Sequence, residues 1–177
     1  MRLTSLVSIV VAVSLLVACQ APSLDTSGAV KFKLSSPAFV DGGSIPQKHT
    51  CQGDNVSPEL NWSEAPAGAK SYALIMDDPD APGGTFTHWV LFDIPPDTQQ
   101  LVEGAGPIGV SGNNSSSQTG YIGPCPPSGM HRYYFRLYEL DVPTLNLKAG
   151  AARGEVEAAM KNHIVGTAET MGRYAKQ

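Results

Sequence analysis

The sequence has little positive charge, and this limits the partners that it can have. Its 12 lysine and arginine residues are outnumbered by 16 aspartate and glutamate residues, and they form no basic run. Because nucleic-acid binding needs a basic surface, we expect no nucleic-acid partner. The three cysteines form no Cys-x-x-Cys pair and no cysteine/histidine ligand spacing, so a structural zinc site has no support. Motifs of the Gly-x-Ser-x-Gly and His-Glu-x-x-His hydrolases are also missing.

A hydrophobic run long enough to span a membrane is missing as well. The apolar block from Leu6 to Val17 is shorter than the about 20 residues that a spanning helix needs, and with its basic start it is typical of a secretion signal. The block ends in Leu-Val-Ala-Cys, which resembles the lipobox of bacterial lipoproteins; an ordinary cleavage site with a chance cysteine is the alternative. The resemblance implies that residues 1–18 are removed and Cys19 is acylated. We therefore expect an extracytoplasmic protein, lipid-anchored to a bacterial membrane in the periplasm or at the cell surface.

The remaining chain has a length suited to one domain. Residues 19–29 are mostly small and polar, as in a tether, and we assign residues 30–177 to a single domain. Export places Cys51 and Cys125 in an oxidising compartment, where a disulfide between them is favoured over two free buried thiols.

Short apolar runs bounded by glycine, proline or aspartate predict that the domain is mostly β. The predicted strands are Val30–Leu34, Tyr72–Met76, His88–Ile94 and Tyr133–Leu140. One helix is predicted from Glu155 to Ile164, where apolar residues share a face. One helix beside several strands indicates a mostly antiparallel β architecture.

Two acidic residues follow the strand Tyr72–Met76, which is apolar on both faces and is therefore predicted to be central and covered. Pro79 and Pro82 stiffen the turn that comes next, so Asp78 is predicted to be a carboxylate in a fixed position rather than part of an ordinary solvated turn.

Two histidines begin strands elsewhere in the chain. Strict alternation places His88 on one face with Phe86, Val90 and Phe92, and it places His131 and Tyr133 together on a face that Arg132 does not share. A lone histidine on an apolar face is more often a core residue than a functional one. His88 and His131 become candidates for a site only if they lie near each other.

These segments carry a family resemblance. The stretches DDPDAP, THWVLFDIP and GPCPPSGMHRYYF, together with TCQGDNVSPELNW, resemble the phosphatidylethanolamine-binding protein family, and specifically its bacterial branch of Raf-kinase-inhibitor-like proteins. The likeness covers nearly all of the mature chain. It implies a large central antiparallel sheet flanked by a smaller sheet and a C-terminal helix. It also implies a small surface pocket for anions such as phosphate or a phospholipid head group, lined by Asp78, Pro82, His88, Gly123, Pro127, His131 and Tyr133.

The residue chemistry agrees with an anion site. Asp78 close to His88 and His131 is expected to raise the pKa of both imidazoles and so favour two cations at one carboxylate. The Tyr133 hydroxyl and backbone N–H groups of the glycine loop are expected to add hydrogen bonds. Arg132, which points away, is expected to pair with an acidic residue of the turn after Asp78.

The chain departs from its relatives at Asn114 to Tyr121, where Ser116 and Ser117 replace an aromatic residue and a glycine. We expect one wall of the pocket to be more open and polar there. The C-terminal residues also differ, so no pocket role is assigned to Tyr174.

Three kinds of function are compatible with this sequence. The first is a binding module without a cofactor or resident metal, which recognises an anionic head group or modulates a partner protein such as an envelope protease. The alternative is a hydrolase or metal-dependent enzyme that uses Asp78, His88 and His131. The third is an envelope protein whose pocket is vestigial. We expect the first, because the motifs offer no clear nucleophile besides Ser128 and Cys125.

Overall fold

The structure, a computed structural model, describes residues 24–106 and 108–177. The predicted signal sequence and the predicted lipidation site Cys19 lie outside these residues. Within the described ranges the secondary structure consists of β1 (Val30–Lys31), β2 (Lys33–Ser35), a 3-10 turn (Gln47–His49), β3 (Leu60–Ser63), β4 (Ser71–Asp78), β5 (Phe86–Ile94), β6 (Gln100–Leu101), β7 (Val110–Ser111), β8 (Met130–Leu140), α1 (Arg153–Met160) and β9 (Ile164–Ala175).

The strands form a large and a small sheet. The large sheet has six strands in the order β1-β9-β8-β4-β5-β7, and the small sheet has three in the order β2-β3-β6. Neighbouring strands are antiparallel throughout, except that β1 runs parallel to β9 at one edge. The predicted mostly-β fold, with a large central sheet flanked by a smaller one and a helix near the C-terminus, is confirmed.

The two faces of the large sheet pack into two separate hydrophobic clusters. Along β4, Leu74 and Met76 point into the cluster between the two sheets, whereas Ala73 and Ile75 point into the cluster that also contains Val156 of α1. All residues of β4 are buried, which confirms the prediction of a central strand covered on both faces. The domain therefore has three layers: small sheet, large sheet and helix.

Three of the four predicted strands are confirmed, and the fourth is divided between the sheets. β4, β5 and β8 each extend a little beyond the predicted bounds. The predicted strand Val30–Leu34 is instead split into β1 of the large sheet and β2 of the small sheet. Phe32 lies between them and donates a backbone hydrogen bond to the Thr167 carbonyl oxygen at 3.1 Å. The chain therefore crosses from one layer to the next at this residue.

The predicted helix is present as α1, but it ends at Met160 and not at Ile164. Asn162 follows with a φ of 69°, a left-handed conformation typical of helix ends. Ile164 already begins β9, a strand for which the sequence pattern gives no prediction because glycines and polar residues interrupt the apolar alternation. Gly172 in this strand packs closely: a Cβ there would come within 2.4 Å of the Ile45 side chain.

The described N-terminal segment lies against the helical side of the domain. Leu24 is partly buried against the cluster beneath α1, and the Ala29 N–H donates to the Thr26 carbonyl oxygen at 3.1 Å in a turn that leads into β1. Within residues 24–106 and 108–177, no helix has the length and hydropathy to cross a bilayer.

One acidic side chain is buried in the core without a partner. Glu139 of β8 is 0% exposed, and neither of its carboxylate oxygens has a hydrogen-bond partner among the described residues. The backbone of Gly166 lies directly against it, since a Cβ there would be 2.5 Å from Oε2. Burial raises the pKa of Glu139, because the ionised form loses water and gains no compensating charge.

We expect Glu139→Gln to stabilise the fold increasingly as the pH rises above the unfolded-state pKa of 4.5. The folded protein keeps a proton that the unfolded chain has released, so wild-type stability falls with rising pH until the raised folded-state pKa is passed. The gain should grow by about 1.4 kcal/mol for each unit by which the folded-state pKa of Glu139 exceeds its unfolded-state value. Urea denaturation of both proteins at about pH 4, 6 and 8 measures it.

Glu64→Gln provides the matched control, because the Glu64 side chain is 65% exposed and its one ion pair within residues 24–106 and 108–177 is with Lys33 at the surface. Its effect on stability should be small and nearly independent of pH. A stability difference between Glu139→Gln and the wild type that does not change with pH would contradict the assignment of a neutral Glu139.

Candidate functional site

Asp78 and His131 form a buried pair at the ends of β4 and β8. The His131 Nδ1 lies 2.7 Å from the Asp78 Oδ2, and the two side chains are 9% and 5% exposed. Asp78 Oδ1 accepts a second hydrogen bond from the Asp80 backbone N–H at 2.8 Å. A carboxylate only accepts hydrogen bonds, so the Nδ1 of His131 carries the proton. The predicted fixed carboxylate is therefore held in the structure by an imidazole and a turn.

A β-bulge brings His88 to the same group. Met76 pairs with Trp89 but Asp77 pairs with Thr87, which leaves His88 as an extra residue of β5. His88 packs edge-to-face on Tyr133 with a ring-centroid distance of 5.2 Å.

The bulge overturns the alternation predicted from the sequence. Val90 and Phe92 belong to the cluster beneath α1, whereas Tyr133, against which His88 packs, belongs to the cluster between the sheets. The prediction that His88 shares a face with Val90 and Phe92 is thus wrong. The bulge adds one residue and so interrupts the two-residue alternation of β5. This turns the His88 imidazole towards His131 and Asp78.

The expected rise in the pKa of His88 is also wrong. Burial lowers the pKa of His88, and the hydrogen bond to the Ile122 carbonyl oxygen and the Asp78 charge only partly oppose this effect. The Nδ1 of His88 lies 2.7 Å from that carbonyl oxygen and must donate to it. His88 is therefore neutral near pH 7, and its Nε2 is an acceptor. His131 is hydrogen-bonded to Asp78 and His88 is neutral, so the site does not hold the two cations that were expected.

Tyr133 supplies a hydroxyl beside the pair. It is 0% exposed, and its hydroxyl has no hydrogen-bond partner among the described residues. Burial, together with the nearby Asp78 carboxylate, raises the pKa of Tyr133, so the phenol stays protonated. The hydroxyl is a donor for which the rest of the described chain provides no acceptor in good geometry.

The loop that contains Gly123 is fixed to the loop before β3. Cys51 and Cys125 form a disulfide with a Cα–Cα distance of 5.4 Å, which confirms the predicted pairing. The Cys51 N–H donates to the Pro124 carbonyl oxygen at 3.1 Å, and the Tyr121 hydroxyl donates to the His49 carbonyl oxygen at 2.6 Å. This attachment positions the Ile122 carbonyl oxygen, which fixes the His88 ring through its hydrogen bond to Nδ1.

Gly123 itself has a packing role. Its N–H donates to Asn55 Oδ1 at 2.7 Å, and a Cβ would come within 2.5 Å of the His49 carbonyl oxygen. This N–H is therefore engaged within the protein and does not supply one of the ligand hydrogen bonds expected from the glycine loop. Close approach of two loops, rather than ligand contact, requires the glycine.

The remaining predicted pocket residues lie at the periphery. Pro82 and Pro127 are exposed. Ser116 and Ser117 are exposed too but do not line the depression beside His131, and Asn114 Oδ1 accepts the Ser116 N–H at 2.9 Å. None of the four makes a hydrogen bond to the two histidines within the described ranges.

Only His131 among the predicted residues lines the open depression at the surface. This depression has a volume of about 530 Å³, and Asp80, Arg132 and Arg173 also line it. The depression is therefore more basic than the sequence indicated. Arg173, on the unpredicted strand β9, could have been found only by placing that strand beside β8, where it pairs with Arg132.

Arg132 makes the expected ion pair. Its Nη2 donates to Asp80 Oδ1 at 2.6 Å and its Nε to Asp80 Oδ2 at 2.9 Å. These hydrogen bonds lower the pKa of Asp80 to about 2.

Tyr174, to which the sequence assigned no role, lies beside His131 in the β8–β9 register. Its hydroxyl donates to Gln52 Oε1 at 2.6 Å, which fixes the ring beside β8.

His88, His131 and Asp78 do not converge as metal ligands. In residues 24–106 and 108–177, no three histidine, cysteine, aspartate or glutamate side chains are placed to hold a metal ion. The Asp78 oxygen that would serve such an ion is hydrogen-bonded to His131.

Comparisons with known proteins agree with this fold. The sequence model of the phosphatidylethanolamine-binding protein family matches residues 35–175. A UPF0098 protein of Methanothermobacter thermautotrophicus is 50% identical over 149 residues, which cover 81% of this chain and 98% of the relative. The chain belongs to the phosphatidylethanolamine-binding protein family.

Two crystal structures are similar over nearly their whole length. A phosphatidylethanolamine-binding protein homologue from Chlamydia trachomatis has a TM-score of 0.80 and 42% identity, covering 85% of this chain and 99% of that chain. Escherichia coli YbcL, described as a member of the mammalian family, has a TM-score of 0.77 and 31% identity, covering 82% and 99%. The family resemblance seen in the motifs is confirmed.

Replacing both disulfide cysteines, by Cys51→Ser and Cys125→Ser, should lower the free energy of unfolding by about 2–4 kcal/mol, because the unfolded chain gains freedom. The loop that holds the Ile122 carbonyl oxygen should also loosen, which changes the surroundings of the His88 ring. Urea denaturation measures the first effect, and the NMR signals of the histidine rings measure the second. His163, which pairs with Asp141 at 2.8 Å, is the internal control. Unchanged His88 signals would show that the disulfide does not position the site.

Proposed function

We propose that this protein binds a small phosphate-bearing anion at the group formed by Asp78, His88, His131 and Tyr133. The observation that carries the proposal is the buried Asp78–His131 pair, with 2.7 Å between Oδ2 and Nδ1, next to a second imidazole. Pairing with His131 offsets the repulsion that an isolated carboxylate would exert on an anion. The pair also fixes the His131 ring, whose Nε2 makes no hydrogen bond within the described ranges.

The neutral His88 makes anion binding depend on a proton. Its Nε2 has a lone pair, which repels a fully deprotonated phosphate oxygen. The contact becomes favourable when Nε2 takes up a proton or when the phosphate, whose second pKa is about 6, brings one. In both cases the complex contains a proton that the free protein and the free phosphate have both lost at higher pH. Affinity therefore falls as the pH rises above the lowered pKa of His88.

Charge around the mouth favours the approach of an anion. Arg173 lines the depression at His131 and makes no ion pair among the described residues, whereas Arg132 is engaged with Asp80. A ligand in this depression would meet Arg173 and His131. The Tyr133 hydroxyl is buried beside the Asp78–His131 pair and stays a donor because burial raises the pKa of Tyr133.

The natural source of the phosphate is proposed to be a phospholipid head group. Similar proteins carry the name phosphatidylethanolamine-binding protein. The lipobox-like segment that ends at Cys19 would hold the chain at a membrane outside the cytoplasm, where such head groups are abundant. The same anchored domain would be placed to modulate a protein partner such as an envelope protease.

A binding role is proposed in preference to catalysis. A hydrolase would need a nucleophile activated by a histidine, but no serine, threonine or cysteine in the described ranges hydrogen-bonds to either His88 or His131. Cys125 is consumed by the disulfide. Ser128 lines the depression with His131 and is the residue to test if phosphoesterase activity is found.

Titration calorimetry with phosphoethanolamine should show affinity falling by up to about tenfold per pH unit between about pH 6 and 8. Measurements in two buffers of different ionisation enthalpy should detect uptake of up to one proton per complex. Affinity that is flat or that rises with pH would contradict the proposed role of His88. Inorganic phosphate as a second ligand separates the sources: tighter binding of phosphoethanolamine supports a head group, and equal binding supports free phosphate.

His131→Ala should weaken this binding at least tenfold, because a charge-assisted contact is lost and Asp78 is left unpaired. His163→Ala is the matched control, since His163 is 41% exposed and outside the site, and it should bind like the wild type. Thermal unfolding of both variants checks that the fold is retained. Equal affinity of the two variants, or no ligand-induced rise in the melting temperature of the wild type, would support a vestigial site.

A further inference from the structure

A second polar cleft lies on the opposite face of the large sheet from His131. It has a volume of about 720 Å³ and runs between α1 and the strands β8 and β9. Six charged residues line it: Lys31, Asp77, Arg136, Arg153, Glu157 and Glu169. None of them belongs to the group around Asp78, because consecutive residues of β4 point to opposite faces of the sheet.

Asp77 fixes two guanidinium groups at the base of this cleft. Its side chain is 1% exposed, its Oδ2 accepts from Arg136 Nη1 at 2.9 Å, and its Oδ1 accepts from Arg153 Nη1 at 2.6 Å. The Thr87 hydroxyl adds a weaker hydrogen bond to Oδ1 at 3.3 Å. Burial raises the pKa of Asp77, and the two arginines oppose that rise. Asp77 is thus buried, whereas the two arginine side chains that it holds remain 30% exposed and can be reached from the cleft.

Both arginines keep donors free for a ligand. Arg136 uses Nε for Glu169 and Nη1 for Asp77, and Arg153 uses Nε for Glu157 and Nη1 for Asp77, so neither Nη2 is engaged within the described ranges. The shared carboxylate holds the two guanidinium groups close together. Arginine N–H groups in a fixed plane are suited to binding a carboxylate.

A third cation stands at the edge of the cleft. Lys31 Nζ donates to Thr167 Oγ1 at 2.8 Å and has no carboxylate partner among the described residues. The three cations are matched by three carboxylates, so the lining has no net charge when all groups are ionised. Glu157 and Glu169, with side chains 22% and 48% exposed, are the acids that a ligand can reach.

The equal numbers of cationic and acidic side chains determine which ligand charge the cleft can accept. A simple anion would meet the arginines but also the two glutamates, and a simple cation would meet the glutamates but also three cations. A zwitterion satisfies both signs, because its carboxylate can bind the free arginine donors while its ammonium binds Glu157 or Glu169. Since each glutamate is directly paired with an arginine, the two charges of the ligand must be only a few bonds apart.

The uncharged part of the lining combines four larger or apolar residues with Thr26, Thr85, Gly154 and Thr167. Leu24, Pro79, Tyr138 and Ala168 contribute to the wall. The volume lies in the range of about 300–1,000 Å³ typical of small-molecule sites, which is more than the two charged groups of an amino acid require.

We propose that this cleft is a binding site for a small amino-acid-type zwitterion with an apolar side chain. The site is independent of the phosphate site proposed above, because the two share no side chain and open on opposite faces of the sheet. Arg136 and Arg153 bind the carboxylate, Glu157 and Glu169 bind the ammonium, and the wall beside Leu24 accepts the side chain.

L-Leucine and two analogues that each lack one charge test the proposal. 4-Methylpentanoate lacks the ammonium group and 3-methylbutylamine lacks the carboxylate. Titration calorimetry on the mature chain should show leucine binding at least tenfold more tightly than either analogue. Equal affinity of the three compounds, or a leucine dissociation constant weaker than about 10 mM, would overturn the proposal.

Variants at the rim of the cleft distinguish loss of leucine binding here from loss of the fold and from effects at the phosphate site. Glu169→Gln and Glu157→Gln each remove a carboxylate assigned to the ammonium but leave Asp77 and both arginines in place, and each should weaken leucine binding at least fivefold. Glu64→Gln, which removes an exposed lysine-paired carboxylate elsewhere, is the matched control. His131→Ala should leave leucine affinity unchanged while it reduces phosphoethanolamine binding. Leucine affinity that is insensitive to both rim variants, or lost in His131→Ala, would overturn the assignment of this cleft.

Discussion

The antiparallel pairing of β4 with β8 is the constraint on which both charged groups of this protein depend. Its register places Asp77 opposite Tyr134, so the next carboxylate, that of Asp78, reaches the face that carries His131. Asp77 reaches the other face and meets Arg136. A shift of one residue would exchange these faces and separate each carboxylate from its partner. Two adjacent aspartates thus serve two different sites, because successive side chains of a strand point to opposite faces of the sheet.

Burial and partner together decide what each acidic group can do. Asp77 has two arginines, Asp78 has one histidine, and Glu139 has no partner among the described residues, although all three are almost fully buried. A paired carboxylate can stay ionised and orient another side chain, whereas an unpaired one is favoured in the protonated form. The same principle explains why His88 remains neutral, since burial outweighs the attraction of Asp78.

The candidate site gains its precision from the loops and not only from the sheet. The disulfide between Cys51 and Cys125 and the hydrogen bond between Gly123 and Asn55 hold together two loops that are distant in sequence. They place the Ile122 carbonyl oxygen where it fixes the His88 ring. A binding group needs such support, because a small displacement of an imidazole removes its hydrogen bonds.

The sequence by itself determined the family, the central strands, the helix and the cysteine pair, because apolar runs, turn residues and motifs are local signals. It also predicted that Arg132 faces away from His131. Strand β9 escaped prediction because its glycines are explained only by close packing, of Gly166 against Glu139 and of Gly172 against Ile45. Only the tertiary structure decided the orientation and neutrality of His88 and the pairing of Asp77 with two arginines. A bulge, the depth of burial and the approach of distant arginines all arise from long-range packing, which no local pattern records.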